Sequence, residues 1–318
     1  MGRSLDIIIV NWNAGDQLRQ CLEAIAAANR EDVELRRTVV VDNGSTDSSL
    51  EGINRGRLPT RIVLNSNNRG FAVACNQGAK DSTTDYLLFL NPDTRVQRNA
   101  LVDPIDFLER EENNRIGILG IQLVDDRGRV TPTCARFPTV GRFVAKMIGL
   151  DSAMPKLFPP HFMTEWDHAD SRPVDQVMGA YFLIRRSLFK ELGGFDERFF
   201  VYFEEVDLTV RALKRGWSTF YLSSVKSYHR GGGVTERVKA RRLFYSLHSR
   251  ILYGYKHFGR RKGTLLMLTT LFVEPVSRLT RAVARRSPAE IVHTIHGYAL
   301  LWRALPRAIA HVRTPLDT

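Results

Sequence analysis

The sequence predicts an α/β protein: a doubly wound, mostly parallel sheet followed by a basic, amphipathic helical extension. Three observations carry this reading. Four short runs in the first 90 residues are almost wholly apolar: LDIIIV (5–10), RTVVV (37–41), RIVL (61–64) and YLLFL (86–90). Such runs belong to a sheet covered on both faces, and sheets of that kind are largely parallel. Helical patterns separate them, and the charge of the chain is divided unevenly along its length. Residues 1–225 hold 28 Lys and Arg against 30 Asp and Glu, whereas residues 226–318 hold 18 against 4. The excess of +12 therefore lies in the last third.

The elements follow in order. After the first strand, Leu18, Cys21, Leu22 and Ile25 recur at helical spacing within 15–28. Further helices are expected over roughly 46–54 and 70–80. The alternation β-α-β-α-β-α-β calls for right-handed crossovers, and ligands in such sheets sit at the carboxyl ends of the strands. Residues 177–217 read as strand, helix, aromatic loop and helix, and residues 235–313 as wholly helical. Pro275, Pro288 and Pro306 are expected to break that tail into several short helices.

Composition narrows the classes of function. Cys21, Cys75 and Cys134 are far apart and form no C-x-x-C pair. This argues against a zinc site or a disulfide framework and fits a reducing compartment. No G-x-G-x-x-G follows the first strand, which disfavours a nicotinamide dehydrogenase. A secretory signal is not visible, and the longest clean apolar run of the tail, Thr264 to Val273, is about half the ~20 residues a spanning helix needs.

Polar groups gather at the strand ends. The first strand ends in Asn11-Trp12-Asn13, the second in DNGSTD (42–47) and the fourth in Asn91-Pro92-Asp93. Asp42 is assigned to ligand binding, since a carboxylate there can accept bonds from a base or a ribose. Ser45 to Asp47 are assigned to capping the next helix. In NNRGFAVACNQGAK (67–80), Gly70 would start a helix close to a ligand and Arg69 could pair with a phosphate. Asn67 and Asn76 complete that grouping. Asn91-Pro92-Asp93 fits either a plain turn or a carboxylate placed to hold a hard cation.

Taken in order, IIIVNWN, VVVDNGSTDSS, NRGFAVACNQGAK, LFLNPDT, GGFDERFFVYFEEVDLTVR and SYHRGGGVT resemble the motifs of family 2 glycosyltransferases, over about residues 4–235. The bacterial rhamnosyltransferase-like branch, which builds cell-surface glycans, is the most similar. The resemblance implies a GT-A fold, a nucleotide-sugar donor, a divalent cation (Mg²⁺ or Mn²⁺) and inversion at the anomeric carbon. It implies that Asn91-Pro92-Asp93 stands for the family's Asp-x-Asp motif, with Asn91 in place of the first acid. Asp93 would then hold the metal, and Asn91 would contact the ribose or a metal-bound water. His229, just before three glycines, is the candidate second ligand. With Asn11, Asn13, Asp42, Asn67, Arg69, Gly70 and Asn76, these residues make up the expected donor site.

An inverting transfer needs a carboxylate to take the acceptor hydroxyl's proton. In YFEEVDLTVR the resemblance gives that role to Glu205, with Glu204 as rival. Phe199, Phe200, Tyr202 and Phe203 nearby in sequence imply desolvation and a raised pKa. Asp207 stands four residues before Arg211, the spacing of a helical ion pair, and is expected to support the base.

The division expected is a catalytic domain over 1–234 and a helical region over 235–318. Basic residues mixed with Leu, Phe and Trp can bind nucleic acid or lie on an anionic membrane. The membrane is favoured, because acceptors of this branch are often polyprenyl-diphosphate-linked sugars and because acid clusters near the site would repel nucleic acid. The expectation is a peripheral enzyme on the cytoplasmic face of a membrane, with homo-oligomerisation left open. The donor expected is dTDP-rhamnose, with a UDP-sugar as alternative. The rival of another class is a nucleotide-sugar-binding protein without catalysis.

Overall fold

A computed structural model describes residues 3–53, 56–231 and 238–313, apart from the side chains of 307–313. These residues form two compact units. The first takes in the described residues up to Phe137, Phe162–Glu197 and those from Glu204 to 231. The second takes in Pro138–His161, Arg198–Phe203 and the described residues from 238 onward. The 234/235 boundary, and Gly232 to Thr235 of the glycine-rich motif, lie outside the described residues.

The first unit is the sheet. Its strands are β1 (Arg3–Asn11), β2 (Val33–Asp42), β3 (Thr60–Leu64), β4 (Tyr86–Leu90), β5 (Thr94–Val96) and β6 (Ile116–Val124). They are followed by β7 (Val130–Thr131), β8 (Cys134–Ala135), β9 (Arg172–Val174), β10 (Gln176–Val177), β11 (Tyr181–Arg185) and β12 (Ser218–His229). The main path runs β3-β2-β1-β4-β11-β6-β12-β5. β1 to β4 are mutually parallel where they pair, as the apolar runs predict. β11 is antiparallel to both β4 and β6, while β12 pairs parallel with β6 and antiparallel with β5. β6 and β12 are further buried strands that the reading of the sequence passed over, although IGILGIQLV carries the same continuous apolar signal.

Both faces of the sheet are covered. Ile7 and Ile9 of β1 pack toward Leu18, Cys21, Leu22 and Ile25 of α1 (Asp16–Ala27). Ile8 and Val10 pack on the other face with Ala72 and Cys75 of α2 (Phe71–Ala79). This is why β1 reads as a continuous apolar run. The helix expected over 46–54 does not form: its described residues are turns and irregular chain. Ser, Thr and Asp side chains compete there for the backbone groups a helix would need. The remaining helices of this unit are α3 (Asp103–Glu109), α6 (Arg186–Glu191) and α7 (Glu204–Lys214).

The second unit contains α4 (Val140–Ile148), α5 (Leu150–Ala153), α8 (Lys239–Leu268), α9 (Glu274–Ala284) and α10 (Pro288–Arg313). Its core gathers Leu247, Ile251, Leu271, Tyr298 and Leu301. The break expected at Pro275 is absent. That residue lies in the first turn of α9, straight after a π-helical turn at Thr269–Val273, where a missing N–H is tolerated. Pro288 opens α10 as expected, Pro306 lies inside it, and the interruption of α8 falls instead at Gly259, whose φ of 75° suits glycine. No helix among the described residues is long and apolar enough to cross a membrane.

Candidate active site

The carboxyl ends of β1 and β2 meet in register at Asn11 and Asp42. The Asn11 amide donates to Asp42 Oδ1 at 2.7 Å, Ser49 Oγ at 2.8 Å and Ser45 Oγ at 3.1 Å. Asp42 Oδ2 accepts the Ser45 N–H at 3.1 Å. Asn13, at φ 53°, accepts the Thr46 N–H, and Asp47 accepts the Gly15 N–H. Ser45, Thr46 and Asp47 therefore fold a loop onto β1, which corrects their assignment as a helix cap. Asn11 organises this loop with its amide nitrogen, and each Asp42 oxygen, with two lone pairs, retains acceptor capacity.

Asn43 is a residue the reading of the sequence missed. It is buried, donates to Asn68 Oδ1 and the Gly70 carbonyl, and accepts from Asn65 Nδ2 and the Arg69 N–H. It thereby ties the end of β2 to the start of α2. The signal for it was its place in the same DNGSTD motif. Gly70 precedes the first residue of α2 at φ 94°, as the helix start expected there, and the side chains of Asn67 and Arg69 are exposed.

Asn76 has another task. Its nitrogen donates to the Phe195 carbonyl and Glu197 Oε1, and its oxygen accepts the Phe195 N–H. Gly194, at φ 77°, lies so close that an added Cβ would stand 2.6 Å from Asn76 Oδ1. The Asn76 amide thus fastens the 194–197 turn, with both nitrogen hydrogens taken up there.

Asn91-Pro92-Asp93 proves to be a turn that also presents a carboxylate. The Thr94 N–H bonds the Asn91 carbonyl, closing the turn between β4 and β5. Pairing of β5 with β12 brings Asp93 Oδ1 to 3.3 Å from His229 Nε2, and the Arg230 N–H donates to the Asp93 carbonyl. A carboxylate oxygen and an imidazole nitrogen form a donor pair suited to a divalent ion such as Mn²⁺. No group of three or more His, Cys, Asp and Glu converges among the described residues, so a cation held here would take its other ligands from the donor's phosphates and water.

Glu204 and Glu205 open α7, straight after Tyr202 and Phe203, which both adopt left-handed backbone with φ of 68° and 70°. Glu204 is buried and Glu205 half-buried, and one carboxylate oxygen of each is enclosed with no hydrogen-bond partner. Burial pushes the pKa of Glu204 well up, and the neighbouring Glu205 adds to this; burial also raises that of Glu205. The thiol of Cys75 on α2 is raised first by burial and then by these two acids, so the pair lies near α2. Asp207 bonds Arg211 at 2.8 Å, and Arg211 donates to the carbonyls of Leu192 and Gly194. Asp207 thus orients α7 through the 192–194 turn. The aromatic loop 198–203 belongs to the helical unit, where Phe200 stacks on Tyr245 and Phe203 packs against Tyr253.

The family model "Glycosyl transferase family 2" matches residues 6–193. The chain belongs to that family. It is 27% identical over 304 residues to the N-acetylglucosaminyl-diphospho-decaprenol L-rhamnosyltransferase of Mycobacterium tuberculosis, covering 87% of this chain and 95% of the relative. It is 26% identical to rhamnosyltransferase WbbL of Escherichia coli, covering 70% of this chain and 82% of the relative. Among solved structures, a mannosyltransferase from Pyrobaculum calidifontis in complex with GDP-Man and Mn²⁺ superimposes with a TM-score of 0.53 at 16% identity, over 97% of this chain and 84% of that one. The fold is GT-A, and the protein is a glycosyltransferase.

Proposed function

We propose that this family member is an inverting, cation-assisted rhamnosyltransferase. It would move rhamnose from dTDP-rhamnose to a polyprenyl-diphosphate-linked glycan during synthesis of a cell-surface polysaccharide. The observation that carries the chemistry is the pair of carboxylates opening α7, one oxygen of each enclosed without a hydrogen-bond partner, in the same unit as the Asp93–His229 pair. The names of the two relatives support the sugar, and the name of the mycobacterial one supports a lipid-diphosphate acceptor.

Each residue then has a chemical task. Asp42 binds the nucleoside through its remaining acceptor capacity, with Asn11 and Asn13 shaping the loop around it. Arg69, Asn67 and the start of α2 at Gly70 face the donor's diphosphate. Asp93 and His229, with Asn91 near Asp93 in sequence, would hold a divalent cation, which would supply positive charge against the departing diphosphate. Glu205 takes the proton of the acceptor hydroxyl, and its burial raises its affinity for that proton. Burial, and the adjacent Glu205 after it, disfavour the anion of Glu204. The acid-poor last third associates the enzyme peripherally with the anionic surface where such acceptors reside.

The test is transfer from dTDP-rhamnose to a synthetic polyprenyl-diphosphate N-acetylglucosamine in Mn²⁺ or Mg²⁺, with the anomeric configuration read by NMR. Product of inverted configuration is expected, and D93A should abolish it while weakening cation-dependent donor binding. Full activity of D93A in chelator would overturn the metal assignment. Turnover of a UDP-sugar in place of dTDP-rhamnose would reassign the donor.

A further inference from the structure

The helical unit carries an apolar surface that its own core does not use. Along α8, the π-helical turn and α9, Leu266, Thr270, Leu271, Glu274 and Ala282 are buried inward. On the outer side of the same segment Leu265, Leu268, Phe272, Val276 and Val283 recur at helical spacing and are 51%, 44%, 57%, 64% and 64% exposed. The stripe is about 27 Å long at 1.5 Å per residue. Trp302 of α10 joins it edge-on to Phe272, with ring centroids 5.7 Å apart, and is itself exposed. Single exposed apolar side chains need no explanation, but a contiguous row on a helix already packed on its other side does.

The charges around this stripe identify what covers it. Arg260, Arg261 and Lys262 stand exposed before its start, and Arg281, Arg285 and Arg286 stand exposed at its end. The only acids between 239 and 306 are Glu274, which is buried against Arg250 and Arg278, and Glu290. An apolar centre with cationic ends and almost no exposed acid matches a layer whose interior is hydrocarbon and whose surface is anionic. A second copy of this chain would bring the same cationic ends together and be repelled by them. We infer that the face formed by Leu265, Leu268, Phe272, Val276, Val283 and Trp302 lies in the plane of an anionic lipid surface. Its apolar side chains enter the acyl boundary, and the flanking Arg and Lys contact headgroups. This rests on the membrane association proposed above and deepens it, because it names the side chains that enter the lipid.

Trp302 is the reporter. The full-length protein would be mixed with vesicles of phosphatidylcholine alone, with vesicles containing phosphatidylglycerol, and with anionic vesicles brominated along the acyl chain. The expected result is a blue shift on anionic vesicles and quenching by the brominated lipid. Both should vanish in W302F, which leaves Trp12, Trp166 and Trp217 as background. F272E, at a position 57% exposed, should weaken vesicle affinity at least about tenfold, since it withdraws one large apolar side chain from the lipid. L268E should do the same, and both should keep donor affinity. Vesicle binding with unchanged Trp302 emission and full affinity in F272E would overturn the face and leave peripheral association standing. Failure to bind any vesicle would overturn both. Self-association that F272E abolishes, without vesicle binding, would assign the face to a second copy instead.

Discussion

Two buried glutamates stand in opposite surroundings. Glu274 in the helical unit is 3% exposed, and Arg250 and Arg278 reach it from two sides. Burial pushes its pKa up, but the two guanidinium groups outweigh that and hold the carboxyl below its usual range. Glu204 in the sheet unit is 5% exposed, yet the charge that shifts it is another carboxylate, and one of its oxygens is enclosed without a partner. Burial is nearly equal, so the difference lies in the company. A compensated acid holds helices together, whereas an uncompensated one stores an unfavourable charge state that folding must support and that proton transfer can use.

The largest effect expected from this contrast is on turnover. E205Q keeps the size of the side chain and removes the proton acceptor, so kcat should fall by about 10²–10⁴-fold with donor affinity little changed. Steady-state kinetics with a separate donor-binding measurement checks this. If E204Q shows that profile and E205Q does not, the base is the other acid. On the compensated side, E274Q should cost roughly 3–5 kcal/mol in denaturant unfolding, because the buried Arg250 guanidinium loses its counter-charge. Replacing Arg250 and Glu274 together with apolar residues of similar volume should cost much less. Equal losses in the single and double variants would mean that packing, not charge, dominates there.

The smallest effect is thermal and depends on pH. The folded protein holds protons on Glu204 and Glu205 that the unfolded chain releases above its ordinary pKa of about 4.3. Their contribution to stability is therefore full below that value and is lost as pH rises through the raised values. E204Q should remove Glu204's share of this slope and raise Tm by roughly 2–4 °C, with a larger gain at pH 8 than at pH 5. Glu274 behaves in the reverse sense, since its depressed pKa gives stability that is lost only as pH falls through it. A gain for E204Q that is the same at both pH values would show that its charge is not the cause.

The parts of this arrangement that could be read in the sequence are those fixed by local pattern. β1, β2, β3, β4 and α1 follow from apolar runs and helical spacing, and the Asp207–Arg211 pair from a four-residue interval. Where partners are distant in sequence, the pattern is silent. Nothing near Asn76 announces that Phe195 and Glu197 will take up its amide. Likewise residues 138–161 and 198–203 join the helical unit through packing with segments that follow much later in the chain. At 46–54 the polar side chains were legible, but whether they cap a helix or replace one is decided by Asn11 and Asn13, over 30 residues away.

The place of β11 in the sheet bears on how the protein is made. β4 and β6 both need β11 as their neighbour, and residues 125–180 must be synthesised after β6 before β11 emerges. At about 5–20 residues per second the ribosome needs roughly 3–11 s for that stretch. Throughout it two strongly apolar strands present open edges, a template for pairing with other nascent chains. Production of this enzyme should therefore be most sensitive to chaperone supply and translation speed in the interval between those two strands, before the two glutamates that open α7 have been made.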